Sequence, residues 1–195
     1  MPDPLAAPFT GYQADIRQEW IDYNGHLHDA SYAAVLSEAN ELLLAALGLS
    51  ADYQARTGRA MYTVESHIRY VAETAGDDRL AAESFLVSAD PKRLRVHTAL
   101  TRRDGTLVAT GEHLYLHVDN ELDRVIAMPD DRWDAVAATL AAHAALARPG
   151  YLGRGIGESG SLCDRVAQPR QLFSLTSRSS LATGSRSGCL RAVLK

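Results

Sequence analysis

The segment Asp22-Tyr23-Asn24-Gly25-His26-Leu27-His28-Asp29-Ala30-Ser31-Tyr32 is where this 195-residue chain places residues that could do chemistry. A carboxylate, Asp22, closes an extended run, a glycine follows three residues on, and a helical pattern opens a few residues beyond. The N-terminus of a helix carries backbone N–H groups with no intrahelical acceptor, and these can hold a developing oxyanion. A carboxylate facing them across one substrate carbonyl can attack that carbonyl or deliver a water to it. Acyl transfer to water is the chemistry that such a pair suits. Asp22 also suits a plainer role in an Asx-turn or a helix cap. His26 either lines a pocket or fixes the turn. His26 and His28 beside Asp22 lack a third ligand of fixed geometry, so no metal site is expected, and no cofactor.

The flanking elements must position this segment. Residues 9 to 21 read as extended. From about Ala30 to Leu47 the apolar positions Tyr32, Val35, Leu36, Ala39, Leu42, Leu43, Ala46 and Leu47 follow helical spacing, with Asp29 as the expected N-cap and Gly48 as the stop. The period then becomes two. Tyr62, Val64, Ser66, Ile68 and Tyr70 alternate with Thr63, Glu65, His67 and Arg69; similar runs cover 80–89, 94–100 and 113–118. Asp90-Pro91 and Asp104-Gly105 mark hairpin turns. A second helix is expected from Asp130 to Ala147. One long buried helix against a five-stranded antiparallel sheet is an α+β layer solution.

Composition bounds the partners. With 46% hydrophobic and 23% charged residues and a net charge of −4, the chain offers no overall electrostatic reason to expect nucleic acid or an anionic membrane. Its longest apolar run, Leu42 to Leu47, is far shorter than the ~20 residues of a spanning helix. The first ten residues lack a basic flank and an apolar core, so a cytoplasmic location is expected. From Gly153 to Lys195 there are seven basic and two acidic residues, eight Ser, six Gly and both cysteines. That stretch shows no period, so residues 153–195 are expected to be a flexible basic tail and residues 1–152 the folded domain. The tail reads either as an unstructured extension or as a binding arm for polyanions; a misread 3′ end is also open.

Asp with Gly at +3, His at +4 and Tyr at +10, opening a long helix followed by four strands, resembles the hot-dog-fold acyl-CoA thioesterases of the 4-hydroxybenzoyl-CoA thioesterase type over about residues 9 to 120. Asp22 to Tyr32, together with Tyr62 to Arg69, Leu116-His117-Val118-Asp119 and the Ala-Ala-His-Ala-Ala-Leu-Ala-Arg-Pro stretch at 141–149, is more narrowly similar to the betainyl-CoA thioesterases of carnitine breakdown. The resemblance implies a hot-dog fold, in which a five-stranded antiparallel sheet wraps one central helix, here with a C-terminal helix added. It implies an acyl-CoA substrate and a homodimer or higher oligomer whose protomers pair their sheets around the pocket. Asp22 would be nucleophile or general base, the backbone N–H of Asp29 would polarise the thioester carbonyl, and Tyr32 would stand in the first helical turn beside the pocket. The acidic side chain of Asp29 is a departure that would compete for the same N–H groups.

Further substrate contacts are expected from Tyr23, Asn24, Gly25 and His26. Glu65 and His67 share a strand face and form either a carboxylate–imidazole pair near the substrate or a surface pair. Arg93 and Arg95 could hold the phosphates of coenzyme A, or blunt a strand edge by charge. Trp20, Tyr23 and Tyr62 could cage a quaternary ammonium by cation–π attraction, or simply pack. A hydratase of the same fold would carry His at +5 from the Asp; here Leu27 stands there, with His at +4 and +6. A non-catalytic acyl-CoA-binding domain is the second rival, and Asp22 favours catalysis over it.

Overall fold

Recurrent apolar residues at helical spacing give one face of α1 (Asp29–Ala46) to the interior, where Tyr32, Val35, Leu36, Ala39, Leu43 and Leu44 are buried. The computed structural model describes residues 3–155; the stretch expected to be a flexible tail lies, from residue 156 on and with Cys163 and Cys189, outside the described residues. Before α1 come β1 (Phe9–Asp15) and a 3-10 turn, Gln18–Trp20; after it come α2 (Ala51–Thr57), β2 (Arg59–Tyr70), β3 (Arg79–Asp90), β4 (Arg93–Arg102), β5 (Leu107–Asp119), the short β6 (Arg124–Val125) and α3 (Asp130–His143). The strands form an antiparallel sheet in the order β1-β3-β4-β5-β2, with β6 beside β5. This curled sheet around α1 is the hot-dog fold. Both expected hairpins, at Asp90-Pro91 and Asp104-Gly105, join neighbouring strands. The 3-10 turn, α2 and β6 were not foreseen, being too short for a period to show.

Helix and sheet meet in two apolar clusters. Tyr32, Val35 and Leu36 pack with Leu80, Leu100 and Val108 near the start of α1; Leu43, Leu44 and Leu47 pack with Leu86, Leu94, Val96 and Tyr115 near its end. Between them lies a polar belt in which Thr98 Oγ1 donates to Asn40 Oδ1 at 2.7 Å and lies 2.8 Å from Ser84 Oγ. Gly111 lets the helix close on the sheet here. A Cβ at that position would stand 2.6 Å from His113 Cε1 and 3.0 Å from Leu36 Cδ1.

Two details overturn simple alternation. Over residues 113–118 of β5 the buried row is His113, Tyr115 and His117, on the side of α1, while Leu114 and Leu116 are half-buried on the other face. On β2 a bulge interrupts pairing with β5 between Thr63 and Glu65. One inserted residue reverses the alternation. Ser66, Ile68 and Tyr70 therefore face α1, whereas Tyr62 points to the opposite side with Leu116.

Burial favours the neutral form of the interior histidines, against the carbonyls that accept from His117 and His143. His143 Nδ1 accepts the Leu86 N–H at 3.0 Å, so its Nε2 carries the proton donated to the Ala6 carbonyl at 2.8 Å. His117 donates from Nδ1 to the Ile126 carbonyl at 3.1 Å and accepts the Tyr53 hydroxyl at Nε2, 2.9 Å away. His97 lies between Phe85 and Tyr151 with its Nδ1 unpartnered among the described residues. Burial, against an opposing contribution from Glu112 and with help from Arg69, pushes its pKa down to about 4.

Gly111→Ala should lower stability by about 1–3 kcal/mol in urea unfolding, because the new methyl must displace Leu36 or His113; an unchanged midpoint would show that the closeness there is not needed. Between pH 6.5 and 4 the unfolded state binds a proton at residue 97 that the folded state refuses, so stability falls as pH drops through that window. His97→Leu should remove up to about 1.4 kcal/mol per pH unit from that slope. Retention of the wild-type slope would assign the loss to the other buried histidines.

Candidate active site

The turn after the 3-10 segment is built by Asp22. Its N–H donates to the His26 carbonyl at 2.8 Å, and its carbonyl accepts the Gly25 N–H at 3.0 Å. Gly25 sits at φ +80°, which a side chain would strain. The Asp22 Oδ1 accepts the Asn24 N–H at 2.8 Å and the His26 N–H at 3.3 Å, while Oδ2 accepts the Asn24 amide at 3.3 Å. The turn-forming role and an ionised carboxylate coexist. Partial burial works against ionisation, but the hydrogen bonds from Asn24 and His26 and the His26 charge outweigh it and hold Asp22 below the usual carboxylate range.

The chain then returns to start α1. Ile21 pairs with Leu27, the His28 N–H donates to the Trp20 carbonyl at 2.8 Å, and the Ser31 hydroxyl reaches the same carbonyl at 3.3 Å. From the other side, Leu27 N–H donates to the Thr74 carbonyl at 3.0 Å and His26 pairs with Ala75. The residue capping α1 is His28, and Asp29 is its first helical residue rather than the cap. Local competition explains the shift: the Asp29 carboxylate accepts the Ala30 N–H at 2.7 Å, closer than His28 Nδ1 at 3.1 Å. His28 Nδ1 also lies 2.8 Å from Asp29 Oδ1. One nitrogen cannot accept and donate there together, so the tautomer of His28 decides between the Ala30 N–H and the Asp29 carboxylate. The competition expected from the Asp29 side chain therefore falls on the N–H of Ala30. The N–H of Asp29 itself has no acceptor among the described residues.

Around this helix start stand groups that reading the sequence had not singled out. Tyr70 donates from its hydroxyl to the Asp29 carbonyl at 3.3 Å, and its ring meets Tyr32 edge-on at 5.4 Å. Glu73 lies 3.5 Å from His26 Nε2, and its carbonyl accepts from Arg102. Tyr32 is buried with its hydroxyl donating to the Ala72 carbonyl at 3.4 Å; burial, then Glu73 and Tyr70, push its pKa up to about 12. Tyr32 thus braces the site and offers no free phenol. The signal for Tyr70 and Glu73 was their place at the end of an alternating strand and in the loop just after it.

Other candidates fall elsewhere. Trp20 is buried under the Arg17 guanidinium, Tyr23 is 93% exposed, and Tyr62 stands eight residues down β2 from Tyr70, roughly 26 Å away, with its hydroxyl on Asn120. No cage of these three forms within one chain. Glu65 and His67 do share a face, on the side of the sheet turned from α1. Arg93 and Arg95 lie at the far end of β4, roughly 30 Å from Arg102 for Arg93. Asp90 holds Arg93 at 2.6 Å, and Glu112 holds Arg95 in a very short contact. Among the described residues no group of three His, Cys, Asp or Glu side chains could bind a metal ion. No single helix among them is long and apolar enough to cross a membrane.

Comparison with known proteins bears on this geometry. The family model of the thioesterase-like superfamily matches residues 16–141. A Pseudomonas aeruginosa betainyl-CoA thioesterase is 35% identical over 154 residues, covering 78% of this chain and 97% of that one. The Agrobacterium fabrum L-carnitine dehydrogenase/betainyl-CoA thioesterase is 47% identical over 122 residues, 63% of this chain; the match spans only 25% of that longer protein. A Staphylococcus aureus protein solved in complex with CoA superposes with a TM-score of 0.74 at 26% identity, covering 82% of this chain and all of that one. With Asp22 and the open helix start inside the matched segment, the chain belongs to the thioesterase-like superfamily.

Proposed function

We propose that this chain hydrolyses an acyl-CoA thioester whose acyl group is small and cationic, the betainyl group named in its relatives, to give glycine betaine and free CoA. The observation that carries the reading is the Asp29 N–H, without an acceptor among the described residues at the start of α1, in the same short segment as Asp22, whose carboxyl is held below the usual range. In this reading that N–H holds the thioester oxygen as charge develops on it. Asp22 either takes a proton from a water that adds to the carbonyl carbon, or adds itself and leaves a mixed anhydride for water to cleave. In both routes the C–S bond breaks, water supplies the carboxylate oxygen, and CoA departs as the thiol after protonation. Tyr23, Asn24, Gly25 and His26 form the rim of the turn, and all these groups lie within residues 1–152.

The partner we propose is a second copy, joined through β2. This strand ends the sheet, and its middle, from Tyr62 to Ser66, is exposed, with Tyr62 at 46% and Val64 at 51%. An exposed edge of that length, with Tyr62 and Val64 open on it, invites pairing.

Asp22→Asn keeps an acceptor for the turn while removing the charge, so it should fold normally, bind substrate and lose roughly 100-fold or more in turnover; wild-type turnover in a CoA-release assay on betainyl-CoA would overturn the reading. Sedimentation should give a dimer, and Val64→Lys should shift it toward monomer. A fully active wild-type monomer at micromolar concentration would contradict the proposed pairing.

A further inference from the structure

We propose that Tyr70 is the residue that selects the acyl group, its half-open ring receiving a quaternary ammonium by cation–π attraction at the start of α1. The inference rests on the thioesterase reading above. Tyr70 closes β2 on the side facing α1, where the bulge at Val64 has turned it. Its ring is fixed at two points, by the hydroxyl on the Asp29 carbonyl and by the edge contact with Tyr32, yet 52% of the residue remains exposed. Core packing does not account for an aromatic ring held so firmly and covered so little. The residue to which it is tied is the one whose N–H has no acceptor among the described residues.

Within one residue the amide nitrogen and the carbonyl oxygen are at most ~3.6 Å apart, so the Tyr70 hydroxyl stands within roughly 7 Å of the Asp29 nitrogen. In a betainyl thioester the ammonium is two bonds from the carbonyl carbon. An ammonium two bonds from a carbonyl carbon held by the Asp29 N–H lies roughly 6 Å or less from that nitrogen, the same range of distance as the Tyr70 hydroxyl, and an aromatic ring attracts a cation over about 6 Å. The charges nearby agree. The carboxylates of Asp29 and Glu73 stand at the helix start with only imidazoles against them, His28 and His26, while the one guanidinium near Glu73, that of Arg102, is turned to the Glu73 carbonyl, Asp78 and Asp104. A cationic acyl group is favoured here, and an anionic one is repelled.

The test compares betainyl-CoA with 3,3-dimethylbutanoyl-CoA, which has the same shape without the charge. Wild-type protein should prefer the cationic thioester in kcat/KM. Tyr70→Leu should cut kcat/KM for betainyl-CoA about 5- to 30-fold more than it cuts that for the neutral isostere. Tyr70→Phe, which keeps the ring and loses the hydrogen bond, should keep the preference. Equal losses on both thioesters in Tyr70→Leu, or no wild-type preference, would overturn the proposal. If the wild type hydrolyses neither thioester, the thioesterase reading fails by itself. Calorimetry with a betainyl-CoA analogue in which CH2 replaces sulfur then decides on Tyr70: a 5- to 30-fold weaker Kd in Tyr70→Leu supports it, and an equal Kd overturns it.

Discussion

A helix cannot supply acceptors to its own first turn, and how α1 finds them from outside governs what this molecule can bind. The Trp20 carbonyl takes two donors, the His28 N–H and the Ser31 hydroxyl. The Asp29 carboxylate takes the Ala30 N–H. The Thr74 carbonyl holds Leu27 just before the helix begins. These acceptors lock the start of α1 between two loops and pass over the N–H of Asp29. A polar group left open at a rigid helix start is pre-organised for a ligand oxygen, because no reorganisation is needed when charge appears there.

The rest of the fold serves that placement. Gly111 lets Leu36 approach the sheet, which sets how closely the first half of α1 lies on β4 and β5. The bulge in β2 decides that Tyr70, and not its neighbour, faces the helix. Tyr32, buried and bonded to the Ala72 carbonyl, ties the first turn of α1 to the loop leaving β2. The carboxylate of Asp22 is then oriented by its own turn, so the groups on either side of the proposed carbonyl position are fixed by local backbone rather than by long side chains.

Much of this was legible in the sequence, for reasons that mark the limits. The span of α1 showed because its apolar spacing holds for five turns, and β4 because Leu94, Val96, Thr98 and Leu100 alternate without interruption. The cap was misplaced by one residue because His28 and Asp29 compete for the same N–H, which spacing alone does not resolve. On β2 the alternation from Tyr62 to Tyr70 looked continuous, and the bulge that breaks it leaves no mark in residue types. On β5 alternation over 113–118 does not say which row is inside; His113, Tyr115 and His117 are, with His117 held by Tyr53 and the Ile126 carbonyl. Asp22 and Asp29 stood out because a turn and a helix start are local. Tyr70 and Glu73 did not, because they reach the site from a strand and loop some forty residues away. Arg93, Arg95 and the Trp20–Tyr23–Tyr62 set were joined by residue type, and strand length separates them.

The central claim is that the open N–H of Asp29 is where the thioester oxygen binds. It is tested most directly by following the Asp29 amide in a 1H–15N spectrum while a CoA ketone analogue, with CH2 in place of the thioester sulfur, is titrated in. The account predicts that the Asp29 amide proton moves downfield on binding, by more than the amides of Ala30 and Ser31, as it gains a hydrogen bond to the ketone oxygen. Saturable binding of the analogue with the Asp29 amide unmoved would contradict it.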